Sequence, residues 1–244
     1  MTGALGNLPF RQMWQVGYGA INPAAVIPWN VSGTGGILLT ILVANSPQAV
    51  LSFLSLNYNG IVTCMLVAKE WHGYAEKRKP LRVTRPTGFQ RSTYRLQIPY
   101  KYGVPLLILS AILHWLVSLT LFLARVNTYD SNGMKLDDES FATVGYSPIG
   151  MITVVLLGSL LLIFLNLIGF RRYHDGLPLA GTCSAAISAA CHRPEDDIHA
   201  ASKPVMWGDV DRDDNVGHCC FTSQAITAPI EWKRYAGPTV HEVH

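Results

Sequence analysis

An uncharged stretch of 32 residues, from Ile37 to Ala68, constrains this chain more than any other feature. As a straight helix it would be about 48 Å long at ~1.5 Å per residue, whereas the hydrocarbon core of a bilayer is about 30 Å thick. The stretch is therefore long and apolar enough to predict a transmembrane helix, with residues to spare at its ends.

Two later runs, 103–124 and 141–170, are also free of Asp, Glu, Lys and Arg. Only 14% of the 244 residues are charged, against about 25% in an average soluble domain. So little polar sequence could not cover three such runs in water, which excludes a soluble helical protein. The sequence predicts an all-α membrane protein with about three transmembrane helices. Its parts are an irregular arm at 1–36, a transmembrane domain at 37–170 with spans at about 37–68, 103–124 and 148–170, and a partly irregular tail at 171–244.

Pro47 interrupts the first uncharged stretch. Proline donates no backbone hydrogen bond and crowds the carbonyl four residues earlier, here that of Val43, so we expect a kink. Asn45 and Gln48 are placed to satisfy the freed backbone. The pattern fits one kinked span, or a re-entrant piece at 37–44 followed by a span from about residue 48.

The polar residues of the first span share one face. At ~100° per residue they fall within an arc of roughly 80°, and such a stripe should face protein or water rather than lipid. The second span has a polar face at four-residue spacing, centred on an imidazole, a group whose charge changes near neutral pH. We expect the two faces to pack together as an intramembrane polar seam. Its members are Asn45, Gln48, Ser52, Ser55, Asn59, Thr63, Ser110, His114 and Ser118.

The charges between the spans are strongly asymmetric. Residues 69–101 carry nine Lys or Arg and two acids, whereas residues 125–147 carry two Lys or Arg and four acids. Lys and Arg near span ends mark the cytoplasmic side. The N-terminus is therefore predicted outside or in a lumen, the basic loop inside, the acidic loop outside and the C-terminus in the cytoplasm.

The basic loop has two predicted features. Alternating residues around a Pro86-Thr87-Gly88 turn suggest a short β-hairpin between 81 and 100. Its cations either mark topology alone or bind anionic lipid headgroups at the cytoplasmic surface. The headgroup candidates are Lys77, Arg78, Lys79, Arg82, Arg85 and Arg91.

The tail contains cysteine and histidine, the ligand types of zinc, in Cys191-His192 and His218-Cys219-Cys220. Their spacing matches no standard zinc finger, so we expect reduced packing cysteines and neither metal nor other cofactor. Residues 184–190 are small and could form a short helix.

Several strings resemble an uncharacterised family of fungal multi-pass membrane proteins. They include Val43–Gln48, Arg78–Val83, Leu113–Leu116, Gly145–Pro148 and Cys183–His192, and the resemblance covers roughly 14–237. The resemblance implies a multi-pass membrane protein and no assigned activity. Longer members have further hydrophobic segments upstream, so it leaves open whether this chain is a piece of a longer protein.

These features favour a non-catalytic integral membrane protein of the plasma membrane or an endomembrane. The first hypothesis is a scaffold or sensor that binds lipid, anionic lipids among them, or protein partners. The alternative is a transporter or channel subunit whose polar seam and His114 line a path. Three spans are few for a solute path in one chain, so we expect a homo- or hetero-oligomer. No catalytic motif is present, and nucleic acid is not an expected partner beside a membrane span.

Overall fold

The computed structural model divides the chain into two compact units. The first contains Met1–Asn59 and Val104–Ile168, and the second contains Gly60–Gly103 and Gly169–His244. This division differs from the predicted arm, transmembrane domain and tail, because the basic loop and the tail belong to one unit. The described residues are 11, 14–15, 17–20, 25–27, 33–96, 98–130, 132–173, 183–210, 216–230 and 232–235.

Helix α1 runs without interruption from Gly33 to Glu76, over 44 residues and through Pro47. Residues 37–44 are therefore not a separate re-entrant piece, whereas the kink at Pro47 stays a prediction. The carbonyl of Val43, which loses its usual partner at Pro47, accepts a hydrogen bond from Ser46 Oγ at 2.8 Å. Asn45 instead donates to the carbonyl of Ile41. The freed carbonyl is thus satisfied by a side chain that the sequence analysis did not assign to it.

Two further long helices are α2, Tyr100–Ser118, and α3, Pro148–Gly169. Together with α1 they are long and apolar enough to cross a membrane, so the described residues contain the three such helices that the sequence predicts. The predicted end of the second span was wrong, since α2 ends at Ser118 and a strand begins at Leu121. Ser147 Oγ accepts the amide of Gly150 at 3.2 Å and so caps the start of α3.

A β-hairpin that the sequence analysis did not predict connects α2 and α3. Strand β3, Leu121–Tyr129, pairs antiparallel with strand β4, Lys135–Tyr146, and the register shifts between Val126 and Thr128. The turn closes through Gly133, whose φ of 77° favours glycine. The described chain is therefore a mixture of helix and sheet rather than all-α.

Part of the N-terminal arm lies against the other edge of β4. The amide of Ile27 donates to the carbonyl of Val144 at 2.9 Å, and the amide of Tyr146 donates to that of Ala25 at 3.0 Å. Ala25 and Tyr146 form a small buried cluster. Within the predicted irregular arm, Val26 thus forms an isolated antiparallel bridge to Gly145 of β4.

The predicted hairpin in the basic loop is wrong in its geometry. Strands β1, Arg82–Val83, and β2, Arg91–Ser92, pair in parallel over two residues each. The amides of Arg91 and Thr93 donate to the carbonyls of Leu81 and Val83. Pro86 and Gly88 lie in the intervening loop, so the chain loops back to a parallel pairing instead of forming a tight antiparallel turn.

The tail folds against the end of α1 in the second unit. It contains helix α4, Ser184–Cys191, a 3-10 turn at Ala200–Ser202, and strand β5, Met206–Asp209, which is antiparallel to β7, Cys219–Thr222. Strand β6, Val216–Gly217, is parallel to β8, Arg234–Tyr235. The predicted short helix at 184–190 is confirmed. The buried core of this unit consists of Tyr74, Ala190, Ala200, Val205, Trp207 and Phe221.

Candidate functional site

One contact joins the two predicted polar faces. Gln48 Nε2 on α1 lies 2.8 Å from His114 Nδ1 on α2, within the first unit. With the Gln48 amide as donor, His114 Nδ1 is the acceptor. Gln48 Oε1 is buried and has no hydrogen-bond partner among the described residues. The pair is therefore a polar junction with one acceptor left unsatisfied.

Three other seam residues use their side chains for hydrogen bonds within their own helix rather than between α1 and α2. Asn45 and Ser52 donate to the carbonyls four residues earlier in α1, and Ser118 donates to the carbonyl of Trp115 in α2. Such bonds satisfy a polar side chain within its own helix. Of the remaining members, Ser55, Thr63 and Ser110 are half-buried and Asn59 is exposed.

The second candidate surface is the basic segment after α1, and two of its cations have structural partners. Arg78 Nη1 donates to the carbonyl of Ser223 at 2.8 Å, and its other nitrogen contacts the carbonyl of Gln224. Arg82 Nε lies 2.7 Å from Glu70 Oε1, and its guanidinium stacks over the Tyr94 ring at 4.2 Å. Arg78 thus joins the loop to the tail, whereas Arg82 joins the loop to α1.

Lys79 is also used in packing. Its amide and carbonyl pair with the backbone of Val205, each at 2.9 Å, and Nζ lies 5.8 Å from the centre of the Tyr74 ring. Burial, together with the nearby charge of Lys77, lowers the pKa of the Lys79 ammonium.

The remaining headgroup candidates, Lys77, Arg85 and Arg91, are exposed. Within the described part of the chain they form no ion pair. These three headgroup candidates therefore face solvent without an ion pair among the described residues, and we call them the exposed cation set.

Sequence reasoning missed a buried carboxylate in the tail. Asp197 is only 4% exposed and accepts hydrogen bonds from Thr222 Oγ1 at 2.6 Å and from the amide and hydroxyl of Ser223 at 2.7 Å. Burial acts to raise its pKa, but the bonds from Ser223 and Thr222 outweigh burial, so the pKa lies below its ordinary value. No sequence pattern links these partners, which are about 25 residues apart.

The cysteines and histidines of the tail come only partly together. The rings of His192 and His218 are 5.8 Å apart, and His218 Nε2 lies 3.0 Å from the carbonyl of His192. No group of three His, Cys, Asp or Glu side chains converges as a ligand set in the described ranges. Burial first, and then the nearby Asp209, raises the pKa of Cys219 to about 12, and burial likewise raises that of Cys220 to about 12.

Comparison with protein families gives a match. The model of a family described as a domain of unknown function, DUF8419, matches residues 4–217. No curated protein and no solved structure matches the chain.

Proposed function

The chain belongs to the DUF8419 family, a domain of unknown function, and we propose that it is a non-catalytic, multi-pass integral membrane protein. Its role is that of a scaffold or sensor which binds anionic lipid headgroups or protein partners. The proposal rests chiefly on the apolar surface of the three long helices. Leu56 on α1, Trp115 on α2 and Leu167 on α3 are 70%, 63% and 64% exposed.

Exposed side chains of this size are costly in water. Burying one Leu, Phe or Met side chain is worth about 1.5–3 kcal/mol, and each of the three helices exposes several such residues. A bilayer, or helices of an oligomeric partner within it, supplies the apolar surroundings. In this proposal α1, α2 and α3 cross the plasma membrane or an endomembrane.

The proposed orientation follows from the Lys and Arg distribution. The exposed cation set follows α1 in the chain and is placed in the cytoplasm with the C-terminus, while the β3–β4 turn and the N-terminus are outside or lumenal. At a membrane surface each cation is worth about 1 kcal/mol of attraction to anionic lipid. The exposed cation set is thus our candidate contact with headgroups.

Orientation can be tested by labelling from each side of sealed vesicles. Arg85→Cys and Lys135→Cys are introduced separately into a chain carrying Cys64→Ser, Cys183→Ser and Cys191→Ser, since these native thiols are exposed. An impermeant maleimide should label position 85 only from the cytoplasmic side and position 135 only from the opposite side. Labelling of position 135 from the cytoplasm alone would overturn the orientation.

Lipid contact can be tested by the phospholipids that remain with the purified chain. Replacing Arg85 and Arg91 by Gln should lower the enrichment of phosphatidylserine over phosphatidylcholine, by about fivefold for each cation at ~1 kcal/mol. Arg125→Gln is the matched control, because Arg125 is an exposed arginine of β3 and is proposed to lie on the opposite side. An equal loss in both variants contradicts a specific contact at the exposed cation set.

A transporter or channel subunit is the second candidate, and the Gln48–His114 junction favours it. The junction lies within two proposed spans and leaves Gln48 Oε1 without a partner in the described chain. A water molecule or a transported cation is a suitable partner for this oxygen. Proton flux into proteoliposomes that is lost in His114→Gln, while the fold is retained, would favour this function over the scaffold. Unchanged flux in His114→Gln would count against it.

A further inference from the structure

A cavity of about 510 Å³ lies within the second unit, between the last turns of α1 and the folded tail. Its wall is largely apolar and includes Val67, Trp71, Leu81 and Phe221. Trp71 and Phe221 meet edge to face with ring centres 4.8 Å apart, which fixes part of this wall. Cavities of roughly 300–1,000 Å³ that have apolar walls and a few polar groups are typical of small-molecule sites.

The charged residues of the cavity leave one cation without a counter-charge. Glu70 and Arg82 line the cavity and neutralise each other across 2.7 Å. Arg193 also lines it, and its guanidinium contacts only the carbonyls of Pro194 and Glu195, among the residues that we can describe. Carbonyl contacts leave the positive charge uncompensated. The cavity therefore combines an apolar wall with one cation, which is the chemistry that receives an anionic amphiphile.

We propose that this cavity binds one acyl chain of an anionic phospholipid, with the lipid phosphate at Arg193. The inference deepens the proposed function and rests on it, since α1 must cross the bilayer. If α1 crosses the bilayer, Val67 and Trp71 lie at the end of the span 37–68, and Trp is enriched in the headgroup region at the ends of spans. Arginine is the side chain best suited to a phosphate because its planar donors match the oxygens.

A further observation supports a bound oxygen-rich ligand. Trp71 lines the cavity, and its Nε1–H is buried without an acceptor within the described ranges. A buried donor without a partner is destabilising, and an ester oxygen of the lipid would remove this penalty.

Two native cysteines provide a direct test in the full chain. Cys191 is exposed and lines the cavity, whereas Cys183 is exposed, precedes the same helix α4 and is not among the lining residues. The chain is reconstituted in nanodiscs of phosphatidylcholine alone or mixed with phosphatidylserine, and alkylation of each thiol is timed by mass spectrometry. An occupied cavity should slow Cys191 about tenfold when the lipid is near ten times its Kd. The rate at Cys183 should stay unchanged.

Variants and a soluble probe separate the possible outcomes. Arg193→Gln should abolish the effect of phosphatidylserine, whereas Arg171→Gln, an exposed arginine outside the cavity wall, should preserve it. Glycerol phosphate, which has the anion but no acyl chain, should not protect Cys191. Equal rates in both lipid mixtures, equal slowing of Cys183, protection by glycerol phosphate or persistence of protection in Arg193→Gln would each overturn the proposal.

The failure of this inference can be told apart from the failure of the proposed function. Enrichment of phosphatidylserine around the chain without protection of Cys191 would refute the cavity site alone. Protection of Cys191 that persists when enrichment is absent would refute only the headgroup contact at the exposed cation set. Labelling of positions 85 and 135 from the same side would refute the proposed crossing.

Discussion

Gln48 Nε2 on α1 and His114 Nδ1 on α2 lie 2.8 Å apart, although 66 residues separate them in the chain. Interhelical hydrogen bonds of this kind contribute on average about 0.6 kcal/mol in membrane proteins, with a maximum near 1.7. A double-mutant cycle with Gln48→Leu and His114→Leu should therefore give a coupling free energy of about 0.6 kcal/mol.

The coupling free energy is obtained from reversible unfolding, in detergent micelles, of the unmodified chain, the two single variants and the double variant. Ser118→Ala is a suitable third position, because Ser118 bonds within its own helix and should not couple to Gln48. A coupling free energy of zero between Gln48 and His114 would show that their contact does not stabilise the helix pair.

Ser46→Ala should destabilise α1 only while Pro47 is present. Ser46 Oγ satisfies the Val43 carbonyl that Pro47 leaves free, so the loss of the hydroxyl should cost about 1 kcal/mol. In a Pro47→Ala background the amide of residue 47 can reach that carbonyl, and Ser46→Ala should become nearly neutral. Unfolding free energies of the two single variants and the double variant measure this difference, and an equal cost in both backgrounds would contradict it.

Gly145→Ala should destabilise the β3–β4 hairpin. A Cβ at residue 145 would lie 2.5 Å from Cε2 of Phe122, whose ring covers this glycine. Overpacking of this kind costs about 1–3 kcal/mol. Gly158→Ala on α3 is the matched control, since a Cβ there meets nothing within 4 Å, and alanine should stabilise a helix by up to ~1 kcal/mol. Opposite shifts of the unfolding midpoint are expected, and a neutral Gly145→Ala would contradict this packing.

Asp197→Asn should destabilise the tail by about 2 kcal/mol, because a charged acceptor of three short hydrogen bonds is lost. Asp196→Asn, the exposed neighbour, should have little effect. The folded pKa of Asp197 is lowered, so its contribution is present above the unfolded value of about 3.9 and is lost as the pH falls through the folded value. Tryptophan fluorescence during acid titration measures both effects. An acid midpoint that is unchanged in Asp197→Asn would refute the assignment.

Alkylation should distinguish the buried cysteines from the exposed ones. With a pKa of about 12, Cys219 and Cys220 have a thiolate fraction at pH 8 about a thousandfold below that of an ordinary thiol. The higher nucleophilicity of a more basic thiolate recovers part of this difference, so the rate should be roughly 50-fold lower.

Cys183, which is exposed, is the reference thiol in the same sample. Iodoacetamide labelling followed by peptide mass spectrometry gives the relative rates. Comparable rates at Cys183 and Cys220 would show that the β7 thiols are not buried.

The same raised pKa values predict that the stability of the folded tail falls as the pH rises from about 8.5 towards 12, because the unfolded thiols ionise first.

The long elements followed from local sequence. A run of apolar residues without charge determines a helix of membrane length through composition alone, and α1, α2 and α3 were found on that basis. The start of α3 also follows from local sequence, because Ser147 suits the N-cap position and Pro148 suits the first turn of the helix. The turn at Asn132-Gly133 was a hairpin signal that could have revealed β3 and β4, but the uncharged run to Ala124 favoured an extended helix.

The sequence by itself determined where apolar helices form and where charge accumulates, because both depend on residues that are close in the chain. Only the tertiary structure decided which polar groups meet. Gln48 with His114, Arg78 with Ser223 and Asp197 with Thr222 join residues that are 66, 145 and 25 positions apart. A buried polar group needs a partner wherever the fold can supply one, and no local pattern specifies that partner. For this reason the basic segment, which as a sequence is a row of equivalent cations, becomes in the structure a set of structural arginines and a separate exposed cation set.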